Sequence, residues 1–259
     1  MRIIDTHCHL NYLNYETEHK DLADVITKAK NRGVEEIIHI SCMQKEYEEI
    51  KDQYLQFPEI YFALGIHPSH AHEEKLDVAK MRQHFLENKR LVAVGEIGLD
   101  TYWTKEHLEV QKETFAQQLE LAAELDLPVI IHTRGDISPV TLDMIESSKV
   151  RKGVIHCFTE NLEIAQRSLA LGFHIGVGGI ATFKNATELR EVLQQVPVER
   201  ILTETDAPYL APVPNRGKEN QPAYTADVVN YIAAMYGMTP EQFAAQTLAN
   251  AHQLFAIKD

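Results

Sequence analysis

The stretch LVAVGEIGLD, residues 91–100, carries the two features that decide the fold. Leu91-Val92-Ala93-Val94 is apolar at every position, without the alternation of a strand that is wet on one face. Such a run suits a strand buried on both faces, as in a parallel sheet. The run then meets Glu96, a carboxylate at the C-terminal end of the strand. Both features recur in VIIH (129–132), GVIH (153–156) and ILTETD (201–206).

Working outward, short apolar runs predict eight strands: Arg2–Asp5, Val34–Ser41, Ile60–Gly65, Leu91–Glu96, Pro128–His132, Gly153–His156, Phe173–Gly178 and Arg200–Asp206. Amphipathic stretches lie between them. The clearest is Glu106–Asp126, where Leu108, Phe115, Leu119 and Ala122 recur at helical spacing. Others cover about His19–Arg32, Gln44–Gln56, Leu76–Asn88, Pro139–Ser147, Leu162–Leu171 and Ala186–Gln195. Pro222–Met235 and Thr239–Leu254 close the chain. Thr239-Pro240 reads as an N-cap with proline at the first helical position.

Eight strand–helix units predict an α/β fold, a single TIM-like (β/α)8 barrel with its site at the C-terminal ends of the strands. A doubly wound open sheet is the alternative. No linker or low-complexity segment interrupts the chain, so residues 1–259 are expected to form one domain.

Composition narrows the function. With 44% hydrophobic and 24% charged residues, the chain suits a soluble globular protein. No apolar run reaches about 18 residues, the span of a membrane helix, and no secretory leader is expected. The three cysteines, Cys8, Cys42 and Cys157, have no disulfide or zinc-thiolate spacing, which points to a cytoplasmic setting. Strand alternation turns Cys8 and Cys157 away from the neighbouring histidines, so both are expected to be buried filler. The net charge of −13 argues against a broad basic surface for duplex nucleic acid. It leaves room for a narrow site where metal ions bring the positive charge.

The polar residues fall in a pattern. His7 and His9, in DTHCHL, follow the first strand, and residues i and i+2 of an extended chain face the same way. His67 follows the third strand, Glu96 ends the fourth, His132 the fifth and His156 the sixth. Glu204 and Asp206 end the eighth. In a barrel these ends converge on one face. The remaining histidines, among them His39, His70, His72 and His107, are read as ordinary. One histidine after a strand is more often a hydrogen-bonded core residue, but four imidazoles and two carboxylates buried together would be costly without a cation. Imidazole and carboxylate without thiolate suit zinc, manganese, iron or nickel better than calcium. Six ligands suit two divalent ions rather than one tetrahedral zinc, with Glu96 as the natural bridge.

At these residues the chain resembles the TatD-type metal-dependent hydrolases, the TatD-related deoxyribonucleases of the amidohydrolase superfamily. The motifs are DTHCHL, GIHP, VGEIGLD, LPVIIHTR, HCFT, ETDAPYLAP and RGKENQP, in order from residue 5 to residue 222. APVPNRGKENQPA looks especially like the YcfH-type branch. The resemblance implies a TIM barrel with two divalent ions (Zn, Mg, Mn or similar). His7, His9, Glu96 and Asp206 would hold one ion, and Glu96, His132 and His156 the other. His67 and Glu204 would lie just behind the ligands or touch substrate.

The resemblance also implies phosphodiester hydrolysis by a metal-activated hydroxide, commonly 3′→5′ trimming of DNA, so the expected partner is a single-stranded DNA end. The catalytic set is then Asp206, Glu96, His67 and Glu204. Asp206 would accept a proton or orient the nucleophile as a ligand. His67 would hydrogen-bond phosphate or the leaving oxygen, or Pro68 after it only marks a turn. Two departures from many relatives lie in loops: Glu160 where HCFSG has glycine, and Gly135 between Arg134 and Asp136.

Expected substrate contacts are His67, Arg134, Arg216, Lys218 and Trp103. A guanidinium can bind phosphate through two hydrogen bonds, and the single tryptophan could stack on a base or pack on the rim. Asp100 is expected to orient a ligand histidine or a loop. Other metal-dependent hydrolyses remain as alternatives: deacylation of charged tRNA, small phosphoesters and cyclic amides. The cyclic-amide enzymes usually bridge their metals with a strand-four lysine, which LVAVGE lacks.

Overall fold

The computed structural model of the chain describes residues 1–102 and 104–258, so Trp103 lies outside the described residues. The strands are β1 (Ile3–Cys8), β2 (Val34–Ser41), β3 (Ile60–Leu64), β4 (Leu91–Asp100), β5 (Val129–Arg134), β6 (Gly153–Ile155), β7 (His174–Val177) and β8 (Ile201–Thr203). The helices are α1 (Leu22–Lys30), α2 (Gln44–Tyr54), α3 (Val78–Glu87), α4 (Leu108–Glu124) and α5 (Ser138–Ser147). They continue with α6 (Leu162–Ala170), α7 (Thr187–Leu193), α8 (Thr225–Met235) and α9 (Pro240–Phe255). The strand order is β1 to β8. This is the expected TIM-like (β/α)8 fold.

The strand limits differ from expectation where polar residues keep pairing. β1 runs on through His7 to Cys8, and β5 through His132 to Arg134. β4 continues to Asp100 because Gly98, Leu99 and Asp100 pair with His132, Thr133 and Arg134 of β5. β8 stops at Thr203, before the carboxylates it was expected to contain.

Internal contacts divide the chain into two compact units. The first comprises residues 1–39, 157–165 and 175–259. In it β1 pairs with β2 and β7 with β8, both in parallel, and Cys8 forms a parallel bridge to Ala207. α9 packs on β1 and β8 through buried Phe243, Ala251 and Leu254. Burying a side chain such as Phe243 contributes about 1.5–3 kcal/mol over leaving it in water. Thr239 and Gln242 form a reciprocal capping box at the start of α9. Asn250 of α9 donates to the carbonyls of Val198 and Ile201, both at 2.8 Å, and so anchors the approach to β8.

The second unit comprises residues 40–156 and 166–174. Here β3, β4, β5 and β6 pair in parallel. α4 lies on β4, with Phe115, Leu119 and Ala122 buried. Two glutamines on α4 clamp the backbone near site residues. Gln118 accepts the Ile66 N–H at 2.6 Å and donates to the Ile66 carbonyl at 3.2 Å, one residue before His67. Gln111 does the same with Asp100, at 2.9 and 3.0 Å. A paired amide of this kind leaves no buried backbone group unsatisfied.

Candidate metal centre

In the second unit the side chains gather on one carboxylate oxygen. Glu96 Oε1 lies 2.7 Å from Nδ1 of His132, 2.9 Å from Nε2 of His156 and 3.5 Å from Nε2 of His67. Glu96 and His156 are buried. On its other edge the His132 ring meets Asp100, with Nε2 2.9 Å from Oδ2. The second oxygen of Asp100 accepts the Tyr102 N–H at 2.9 Å, which fixes the carboxylate. Burial pulls the pKa of His132 down, but Asp100 and Glu96 together outweigh it and hold the ring above the usual imidazole range. Burial likewise raises that of Asp100, and His132 with the Tyr102 amide overrides it, so Asp100 stays below the usual carboxylate range.

His67 has a distinct role. Its Nδ1 accepts the Ser69 N–H at 3.1 Å and lies 2.6 Å from Ser69 Oγ. A neutral ring whose Nδ1 accepts must carry its proton on Nε2. His67 therefore faces Glu96 as a donor rather than as a ligand lone pair. Pro68 does open a turn, the short 3-10 turn Pro68–His70, and His67 caps it.

In the first unit, Nε2 of His7 lies 3.3 Å from Nε2 of His9. Asp206 Oδ1 stands 3.7 Å from the first and 3.5 Å from the second. The frame behind them rests on Asp5. Its Oδ1 accepts the N–H groups of Thr205 at 2.9 Å and His7 at 3.2 Å, and its Oδ2 accepts the Thr205 hydroxyl at 2.6 Å. The Asp206 N–H donates to the His7 carbonyl at 2.9 Å, and the His9 N–H to the Ala207 carbonyl at 2.9 Å. Asp206 itself adopts a left-handed φ of 58°. Burial lifts the Asp5 carboxyl to a pKa of about 7, against the pull of Thr205 and the His7 amide. Behind His9, the buried His39 accepts the Leu10 N–H at Nδ1 at 3.3 Å.

The donor sets fit divalent ions. Two nitrogens about 2.0–2.1 Å from one ion at a tetrahedral angle stand about 3.3–3.4 Å apart. The His7–His9 separation of 3.3 Å has that value. In the other unit, His132 and His156 turn ring nitrogens toward one buried carboxylate oxygen, a set that suits a shared cation. The Nε2 contact of His132 with Asp100 leaves Nδ1 to face an ion, the arrangement in which a carboxylate fixes the tautomer of a metal-binding histidine.

The other expected residues occupy varied places. Glu204 is buried, and Oε1 accepts the Cys157 N–H. It lies across Gly176, where a Cβ would stand 2.6 Å from Glu204 Oε2. Cys157 is only half-buried, with a φ of 45°, so it is not the buried filler that alternation predicts. The strand has already ended at Ile155, and alternation no longer applies. Arg134 is exposed at the end of β5, its guanidinium 4.0 Å from the centre of the Tyr102 ring. Arg216 covers Phe183 at 3.7 Å and donates to the Ala211 carbonyl at 3.3 Å, while Lys218 is exposed in the same loop.

Gly135 has a φ of 89°, and a Cβ there would meet Thr101 Oγ1 at 2.6 Å. Only glycine lets the Arg134 loop lie so close to the end of β4. Glu160 is half-buried in the loop before α6. Sequence reasoning passed over Asp5, Thr205, Gln111 and Gln118. Asp5 carried a usable signal, since a carboxylate inside an apolar strand must have buried partners.

Comparisons with known proteins identify relatives of the chain and of its fold. The TatD related DNase family matches residues 4–256. An uncharacterized metal-dependent hydrolase of Escherichia coli K12, YcfH, is 42% identical over 99% of this chain and 97% of its own. The protein named 3'-5' ssDNA/RNA exonuclease TatD in Erwinia billingiae is 33% identical, over 92% of this chain and 94% of its own. The crystal structure of the TatD homologue YjjV from Escherichia coli K12 superposes with a TM-score of 0.92 at 30% identity, covering 99% of each chain.

Proposed function

The chain belongs to the TatD-related DNase family, a family of metal-dependent hydrolases, and on that premise we propose that it trims single-stranded nucleic-acid ends by phosphodiester hydrolysis. The observation that carries the reading is the convergence of three imidazoles on Glu96 Oε1. His7, His9 and Asp206 would hold one divalent ion, His132 and His156 a second, and Glu96 both. Ions bound there supply Lewis acidity toward phosphate and lower the pKa of water toward neutrality. Zn²⁺, Mn²⁺ and Mg²⁺ suit the donor types.

The protein's own groups supply the rest. Asp206, set by its left-handed backbone and its contacts to His7 and His9, holds or takes the proton of the attacking water. His67 presents Nε2–H as a donor to a phosphate oxygen or the leaving oxygen, its tautomer fixed by Ser69. Asp100 keeps His132 in the tautomer that offers Nδ1. Glu204 braces the Cys157 backbone, next to His156. Arg134, exposed at the end of β5, meets the phosphate backbone, and Arg216 and Lys218 lie in a loop that offers further charge. Residues 1–259 act as one hydrolase domain in this reading.

Two further features support the setting. Among the described residues no helix is long and apolar enough to cross a membrane. The three cysteines form no disulfide, which supports a reducing cytoplasm. The chemical kinship with a named ssDNA/RNA exonuclease favours polynucleotide ends over other esters.

The test follows 3′-labelled and 5′-labelled single-stranded DNA with purified protein, with Mn²⁺ or Mg²⁺ and with chelator. Stepwise loss of the 3′ label, dependent on metal and absent in Glu96→Gln, is expected. No cleavage with any metal would contradict the reading and direct attention to small phosphoesters, charged tRNA and cyclic amides.

A further inference from the structure

We infer that Tyr12 and Tyr209 form a nucleobase-binding subsite beside His9. The inference rests on the nucleic-acid reading above for its ligand class, and on the first unit alone for its geometry.

Two ligand candidates in that unit, His9 and Asp206, are each followed three residues later by a tyrosine. In both cases a tight turn returns the tyrosine to the ligand. The Tyr12 N–H donates to the His9 carbonyl at 3.0 Å, and the Tyr209 N–H to the Asp206 carbonyl at 2.9 Å. Both rings then meet the same imidazole. Tyr12 stacks on His9 with centroids 5.4 Å apart and planes 17° from parallel. Tyr209 meets His9 edge-on at 6.4 Å and 65°.

Both tyrosines are exposed, 38% for Tyr12 and 54% for Tyr209, beside the buried His7 and His9. The turn that carries Tyr209 is braced. Asn220, itself buried, donates from Nδ2 to the carbonyls of Thr205 at 2.8 Å and Tyr209 at 2.6 Å. Its own N–H donates to the Pro208 carbonyl at 3.0 Å. Exposed aromatic surface on rigid backbone is a preformed platform, with little ordering left to be done on binding.

Charge and chemistry narrow the occupant. A chain of net charge −13 offers no general attraction for a polyanion. Beyond the metal ligands and the few cations at Arg134, Arg216 and Lys218, an end gains affinity from uncharged contacts. Aromatic rings that flank a phosphate-directed site supply these by stacking on a base, whatever its sequence. The subsite therefore takes the base of a terminal nucleotide, in DNA or RNA, and sets a preference for ends that carry bases over ends that do not.

The experiment measures binding rather than turnover. Mn²⁺-loaded protein is titrated into two fluorescent oligothymidylates with phosphorothioate linkages at the 3′ end. One is complete, and the other carries abasic residues at its last two positions. Fluorescence anisotropy is expected to show the complete end binding about tenfold tighter or more. Tyr12→Ala and Tyr209→Ala should each lose most of that preference, and Tyr12→Phe and Tyr209→Phe should keep it. Equal affinity for the two ends in the wild type, or a full preference retained in both alanine variants, would overturn the inference. The wild-type comparison needs no variant to fold. Hydrolysis of unmodified DNA is followed in parallel. Base preference without hydrolysis would remove the trimming reading and leave the subsite. Hydrolysis without base preference would remove the subsite alone.

Discussion

Asp100 Oδ2 stands 2.9 Å from Nε2 of His132, on the edge of the ring opposite the nitrogen that faces Glu96. The two carboxylates share one imidazole between them and assign its nitrogens. Removing Asp100 frees the ring to flip or change tautomer without touching a ligand. Asp100→Ala is expected to weaken divalent-ion affinity by about 10–100-fold, and Asp100→Asn, which keeps an acceptor, by less. Competition with a chromophoric chelator measures it. Unchanged affinity in Asp100→Ala would show that the contact does not position His132.

Asp5 accepts three hydrogen bonds in a fully buried position. Asp5→Ala leaves two N–H groups and a hydroxyl without their acceptor, and buried unsatisfied donors cost about 1–3 kcal/mol each. With partial relaxation, a loss of about 2–4 kcal/mol is expected, read from urea unfolding of metal-free protein. Thr205→Val should cost less, about 1 kcal/mol, because the Asp5 carboxylate keeps both N–H donors.

Much of this account is legible in the amino-acid order, for a physical reason. Parallel strands buried on both faces must be apolar throughout, so LVAV and VII announce themselves, and the first polar residue after each run marks the strand end where side chains can converge. That logic singles out His7, His9, Glu96, His132 and His156 as candidates. It failed where a polar residue continues the ladder. Gly98 to Asp100 pair with His132 to Arg134, so β4 runs four residues past Glu96. It was silent on Gln111 and Gln118, which look like surface residues of an amphipathic helix but turn inward to hold backbone amides. Tyr12 and Tyr209 were passed over too, since their value lies in i→i+3 turns that no periodicity encodes. Glu204 stands out by its motif, but the reach of its carboxylate to the Cys157 amide depends on a fold-level approach that no motif encodes.

Gly135→Ala tests the loop after β5. Its φ of 89° and the approach to Thr101 leave no room for a methyl group. Strain of this kind costs about 1–3 kcal/mol. A lower thermal midpoint is expected, together with weaker substrate binding as Arg134 and Tyr102 shift. An unchanged midpoint and KM would show the loop to be pliable.

His39 predicts a pH dependence of stability. Burial holds its pKa well below the usual imidazole value, with His9 adding to the effect. The unfolded chain binds a proton there below about pH 6.5, while the folded chain does not. Stability from this group is complete above that pH and falls as pH drops below it. Unfolding in chelator between pH 5 and 8, a range of about three units around that value, measures the slope. His39→Gln should flatten it, and an identical slope in the variant would place the titration elsewhere.

The most direct test counts bound ions. Native mass spectrometry of protein loaded with Mn²⁺ or Zn²⁺ is predicted to show two ions per chain, with one or none retained in Glu96→Gln. A wild-type chain that binds a single ion, or a Glu96→Gln chain that keeps two, would contradict the shared centre on which the proposed chemistry rests.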